Sequence, residues 1–460
     1  MGNISITQEW EREKEVNRQD FKWEEDSYRE GCEAARMKAL KRLKAMDDRL
    51  FASHPSSWEV KGFNKRSLAT RFGDLTISRR LYQDDRGEYR YLLDEYLGWH
   101  PKQLATPSLQ ESLVEFATEK SFNKVSKTLS KLTAAVLSAR TIQRLLQKTA
   151  QQAIEQEKAD CQAIYGRGEL PPSGKRKIPI LFTESDGIWV HLQRDEQTQY
   201  ELKNGIAYEG WERLSGKEER YRLLNKKVYC QGDEETAFWE GVSLEWSRYW
   251  DLSHLEKIVI GGDGAGWIDS GLEEFAGSIR QLDGFHLSRA CGRGWQGGRV
   301  IYEAIRAGET ETARQLMDTL VPRDRAGASN ARKYVERNLE KGQDWRNRIQ
   351  IAGRGMGCME SNEDKLVANR MKKQGLSWTI AGALRMHKAI QLAANGEIAP
   401  FCFRSRPTPP KITPRIRPTL QPNGHQKWLE ASVPALVGPH ASRLWVNKLR
   451  NMTCPAFPVN

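Results

Sequence analysis

The chain has only seven cysteines among its 460 residues, and no two form a C-x-x-C pair. An odd, scattered set argues against both a disulfide framework and a thiolate zinc site, so a reducing compartment is expected. No run of about 18 apolar residues occurs, which leaves no helix able to span a bilayer. Residues 1–15 contain no apolar stretch of the kind a secretory leader needs. These absences together lead us to expect a cytoplasmic protein without a membrane partner. There is also no H-E-x-x-H and no Ser/His/Asp arrangement. The Gly-Gly-Asp-Gly-Ala-Gly stretch from Gly261 lacks both the Lys-Ser/Thr of a phosphate loop and the spacing of a dinucleotide fingerprint. Without thiolate ligands, a catalytic metal has to rest on carboxylates, which favours hard Mg²⁺ or Mn²⁺.

What is present is basic charge. A net charge of +12 favours an anionic partner such as nucleic acid. At 29% charged and 38% hydrophobic, the chain suits a polar-surfaced protein long enough for several domains.

In chain order, residues 1–56 read as charged helices. Residues 57–107 read as a small β unit, with strands near 58–60, 76–82 and 89–93 and a hairpin turn at 84–87. Arg79 and Arg80 put positive charge on it, which fits either a DNA-contacting ribbon or a plain edge hairpin. Residues 108–172 read as three helices with polar caps. The third carries Arg140, Arg144 and Lys148, as a DNA-binding helix-turn-helix would, although any small helical bundle gives this pattern.

Residues 173–290 turn to strands. Apolar runs at 178–182 and 188–192 flank a polar interruption at 183–187. Strands follow at 205–208 and 227–229, then a helix to about 249, a strand at 258–260, a helix near 266–278 and a strand at 279–282. Three strands, helix, strand, helix, strand is the order of a ribonuclease H-like sheet. Residues 291–355 read as an α-helical insertion, and 356–396 as a return to the core. Residues 397–460 read as a proline-rich basic tail. The fold class expected is therefore α/β: a ribonuclease H-like mixed sheet with a helical insertion, preceded by the β unit and the helix-turn-helix-like region.

Three acidic residues stand out. Asp186 lies in the polar interruption, Asp263 just past the 258–260 strand, and Glu360 at the start of a late helix. Carboxylates from separate elements that converge to hold two divalent cations are what phosphodiester chemistry needs. Each has a plainer reading. Asp186-Gly187 is also a hairpin signal, Asp263 also a helix cap, and Glu360 also a helix-dipole partner. Glu184, Glu363 and Asp364 are rivals. Asp283 and His286, spaced D-x-x-H, either brace such a site or are structural.

The motifs Glu184-Ser185-Asp186-Gly187, Gly262-Asp263-Gly264-Ala265-Gly266-Trp267-Ile268, Leu282-Asp283-Gly284-Phe285-His286 and Met359-Glu360-Ser361-Asn362 occur in order, followed by Lys372 to Trp378. In this the chain resembles the ISLre2-type bacterial insertion-sequence transposases, distant relatives of the Mutator-like group. The resemblance covers roughly residues 70–395. It implies a DDE transposase that cuts and joins double-stranded DNA at element ends and target, working as a homo-oligomer with two Mg²⁺ or Mn²⁺ ions. Asp186, Asp263 and Glu360 would be its catalytic and metal-binding triad. Asp283 and His286 would be its accessory C/D-x-x-H motif. A ribonuclease H-like nuclease without strand transfer, or a non-catalytic DNA-binding descendant, remains the alternative.

Overall fold

The computed structural model describes residues 22–214 and 220–403. The chain forms two units. One reaches to Leu146 and takes in the segment from Ile398; the other runs from Gln147 to Glu397. Most of the proline-rich tail and the start of the N-terminal helices lie outside the described residues.

In the first unit a long helix, α1 (Lys22–Ala52), precedes an antiparallel sheet of β1 (Glu59–Thr70), β2 (Gly73–Gln83) and β3 (Tyr89–Arg90). Leu68 and Ile77 on the inner face pack with Leu40, Leu43, Met46 and Leu50 of α1. Residues 92–93 do not continue a strand; they open α2 (Leu92–Leu97). The buried Asp94 in that turn accepts from Arg66 Nη1 at 2.5 Å and from Arg79 Nε at 2.8 Å. Two helices follow, α3 (Pro107–Glu119) and α4 (Phe122–Leu132), and a third, α5 (Ala139–Cys161), starts in this unit and ends in the other. Ser121 caps α4 by accepting from the Lys124 N–H. Leu113, Val114, Val125, Leu129, Ile142, Leu145 and Leu146 are buried. Phe116 and Leu132, whose spacing predicts burial, are exposed.

The second unit is mixed α/β. Its strands are β4 (Ile180–His191), β5 (Gln199–Tyr208), β6 (Trp211–Arg213), β7 (Tyr221–Leu223), β8 (Lys227–Cys230), β9 (Lys257–Gly262) and β10 (Ile279–Leu282). β6 and β7 pair only with each other. The rest form one five-stranded sheet in the order β10-β9-β4-β5-β8. β9 runs parallel to both β4 and β10, while β5 is antiparallel to β4 and β8. One face packs Leu181, Ala207, Tyr229 and Ile260 against Val242 and Trp246 of α6 (Phe238–Tyr249). The other face packs Phe182, Ile206, Tyr208 and Val259 against Trp345 and Met359.

The interruption at 183–187 is not a break. β4 runs through it as the central strand, paired with β5 from Phe182 to His191 and with β9 from Ile180 to Ser185. Two of its polar side chains find partners on β5: the Thr183 hydroxyl donates to the Ile206 carbonyl at 3.0 Å, and Glu184 accepts from the Tyr208 hydroxyl at 2.5 Å. The hairpin reading of Asp186-Gly187 is thereby corrected.

After β10 come α7 (Gly284–Gly294), α8 (Arg299–Ala307), α9 (Thr310–Thr319) and α10 (Arg325–Arg337), which share their own core around Leu287, Ile301, Ile305 and Val335. The chain returns in α11 (Met359–Glu363), a π turn (Asp364–Ala368) and α12 (Ile380–Asn395). No helix among the described residues is long and apolar enough to cross a membrane.

Candidate active site at the carboxyl ends of the parallel strands

The register sets the first pair of carboxylates. Ser185 of β4 pairs with Gly262 of β9, so Asp186 and Asp263 follow as neighbours on strands about 4.8 Å apart. Gly262 is required there. Its φ is +156° and a Cβ would lie 2.6 Å from the Ser185 carbonyl oxygen. Asp263 then accepts from the Ala265 N–H at 2.8 Å, which shapes the turn. Two arginines brace that turn. Arg280, buried under β9, donates to the Ile260 carbonyl at 3.2 Å and to the Asp263 carbonyl, and pairs with Asp269 at 3.0 Å. Arg337 of α10 donates to the Gly264 carbonyl at 3.1 Å.

Glu184, two residues before Asp186 on the same face of β4, fixes the late helix. Its Oε2 accepts from the N–H groups of Gly357, Cys358 and Met359 at 3.0, 2.8 and 3.1 Å. The Tyr208 hydroxyl donates to its Oε1 at 2.5 Å. A buried carboxylate thus sits on the free donors at the start of α11. Burial pushes its pKa up against these hydrogen bonds.

That anchor selects which acid reaches Asp186. Along the strand, Asp186 lies about 6.6 Å beyond Glu184. Along the helix, Glu363 lies about 6 Å beyond Met359, while Glu360 has advanced only about 1.5 Å. The Glu363 carboxyl accordingly hydrogen-bonds Asp186. Glu360 is exposed, and it enters the cluster only as a nearby charge that raises Glu363. Burial, then the Asp186 charge and hydrogen bond, push Glu363 up to about 8. Asp186 is also raised, by burial first and then by the charge of Asp263. Burial and mutual repulsion therefore favour a proton held between the two carboxyls. The π turn begins at the very next residue, as π turns often do at functional sites.

Asp283 and His286 complete the rim. The Asp283 N–H donates to the Gly262 carbonyl at 2.8 Å, which ties it to the Asp263 turn. Its side chain caps α7, accepting from the Phe285 N–H at 2.9 Å, and meets His286 Nδ1 at 2.8 Å. That hydrogen bond, followed by the charges of Asp283, Asp186 and Asp263, raises the imidazole against partial burial. Burial pushes Asp283 up, but the bond from His286 and the N–H of Phe285 bring it below its ordinary value.

The donors collected here are carboxylate oxygens and one imidazole, a set that suits a hard divalent cation. Among the described residues no three such side chains already surround one point. The proton between Asp186 and Glu363 relieves a repulsion that a cation would also relieve.

The basic residues separate into two groups. Arg79 is buried against Asp94, and Arg80 pairs with Asp47 at 2.6 Å and Asp48 at 2.7 Å. Both guanidiniums are ion-paired inside the first unit. Arg140, Arg144 and Lys148 are exposed at one-turn spacing on α5, opposite the buried Ile142, Leu145 and Leu146.

The model of an uncharacterised protein family, UPF0236, matches residues 33–399. A UPF0236 protein of Streptococcus gallolyticus, named for its place in a vanSb 3′ region, is 27% identical over 79% of this chain and 81% of its own length. Two UPF0236 proteins of Caldanaerobacter subterraneus subsp. tengcongensis are 26% and 24% identical, each over 74% of this chain and 70% of its own length.

Proposed function

The chain belongs to the uncharacterised protein family UPF0236, and on that footing we propose that it is a DDE transposase of the ISLre2 type with a ribonuclease H-like core. The strand order supports the core reading. Three antiparallel strands followed by two parallel ones, with the first strand central, is the arrangement expected of that fold. The observation that carries the catalytic reading is the meeting of Asp186, beside Asp263, with Glu363 from α11. The names of the two Caldanaerobacter relatives join four and eleven locus labels. A protein encoded at many places in one genome is what a self-copying element leaves behind.

In this reading Asp186, Asp263 and Glu363 hold Mg²⁺ or Mn²⁺, with Glu363 replacing Glu360 as the third carboxylate. Bound cations would supply charge stabilisation at the phosphoryl group and at the attacking and leaving oxygens. Glu184 orients α11 so that Glu363 meets Asp186. Asp283 holds the His286 ring at Nδ1 and leaves Nε2 to exchange a proton at the rim of the site. The exposed cations of α5 bind the double-stranded element ends, and a homo-oligomer brings two ends together.

The test is incubation of the purified chain and Mn²⁺ with DNA carrying the sequences that flank its own gene. Nicking at the gene-proximal ends followed by joining of the freed 3′ end to a second duplex is expected, and Asp263→Asn should abolish both. Cutting without joining would make the chain a nuclease. End binding without cutting would make it a non-catalytic descendant.

A further inference from the structure

Resting on that reading, we propose that the exposed face of α7 carries a single DNA strand away from the carboxylates. Phe285 stacks on an unpaired base beside the reacting phosphate, and Arg289 and Arg293 hold phosphates beyond it.

α7 has two unlike faces. Leu287, Cys291 and Gly294 are buried, while Phe285, Ser288, Arg289, Gly292 and Arg293 are exposed. Phe285, Arg289 and Arg293 follow one another about every 6 Å along the helix. Neither arginine has an ion-pair partner among the described residues. Between them, Gly292 offers open space where a Cβ would stand, so a strand can approach the backbone.

Phe285 stands at the catalytic end of this face. Its ring meets the His286 ring edge-on at 5.6 Å, and His286 feels the charges of Asp186 and Asp263. The phenyl is 52% exposed, so it forgoes part of what burial of an aromatic ring would contribute. Its ring partner is the His286 imidazole, and about half of the phenyl faces solvent. A nucleobase supplies the missing surface, and base–aromatic stacking tolerates any sequence. Chemistry at a duplex end leaves such a base within reach once it is drawn out of the stack. A protein partner would need a broader apolar patch than one ring followed by two guanidiniums.

The experiment uses the full chain and two labelled DNAs, a blunt duplex and the same duplex with a short single-stranded overhang. The overhang carries 2-aminopurine at its first unpaired position. The wild type should prefer the overhang and quench the probe. Phe285→Ala should lose the quenching and weaken overhang binding about tenfold, within the worth of one stacked base, with blunt binding unchanged. Phe285→Trp should retain both. Replacing Arg289 and Arg293 together by Ala should lower the salt slope of overhang binding by roughly 1.4, two single-strand phosphate contacts. Phe285→Ala with intact quenching and affinity, or an unchanged salt slope, would overturn the proposal. Overhang preference without any metal-dependent cutting would sink the catalytic reading and leave this one standing. Cutting and joining that the Phe285 and arginine variants leave untouched would do the reverse.

Discussion

The carboxyl groups of Glu363 and Asp186 share a hydrogen bond, across a gap between a central strand and a helix far away in the chain. Glu184 makes that meeting possible. Replacing Glu184 by Ala strands three backbone N–H groups and the Tyr208 hydroxyl, at a cost of about 3–5 kcal/mol. Glu184→Gln keeps part of the acceptor set and should cost about 1–2 kcal/mol. Urea unfolding measures both. The Gln variant should also release Glu363 to titrate lower, because α11 loses its register.

The two groups of arginines should respond oppositely. Arg79→Ala breaks a buried pair and should destabilise by about 3–5 kcal/mol, moderated because Arg66 still holds Asp94. Arg140→Ala with Arg144→Ala should leave stability within about 1 kcal/mol. The same pair should reduce the salt slope of duplex binding by about 1.8, two phosphate contacts on B-form DNA. Fluorescence anisotropy across a salt series checks this, and an unchanged slope moves end recognition away from α5.

How much of this was legible in the sequence depends on what each residue answers to. The turns that place Asp263 and Asp283 are local: glycines follow short apolar strands, and both positions read directly. The continuity of β4 did not read, because Thr183, Glu184 and Ser185 are polar yet buried, the first two with hydrogen-bond partners on β5 and at the start of α11. Arg79 and Arg80 looked like surface charge because their acids come from α1 and α2, and the opening of α2 has the composition of a strand. Glu360 and Glu363 are equivalent as local sequence. What separates them is the distance each has climbed from an anchor more than a hundred residues earlier in the chain.

The Asp283–His286 pair should give a pH signature with two arms. The raised folded pKa of His286 means its contribution is full below the ordinary imidazole range, and is lost as pH rises through the raised value. The lowered folded pKa of Asp283 means its contribution is present above the ordinary carboxylate range, and is lost as pH falls through the lowered value. The stability difference between wild type and His286→Gln should therefore be largest in mildly acid solution and shrink toward both ends. Thermal unfolding across pH reads it, and a difference independent of pH would dissolve the pair.

If Asp186, Asp263 and Glu363 form a cation site, Mn²⁺ should raise the Tm of the folded chain. Glu363 holds its proton up to about 8, so a cation has to displace that proton. The shift in Tm should be larger above this pH than well below it. It should vanish in Asp186→Asn, Asp263→Asn and Glu363→Gln, and survive in Glu360→Gln. A wild-type Tm indifferent to Mn²⁺ at either pH, or a shift that Glu360→Gln removes and Glu363→Gln spares, would contradict the account.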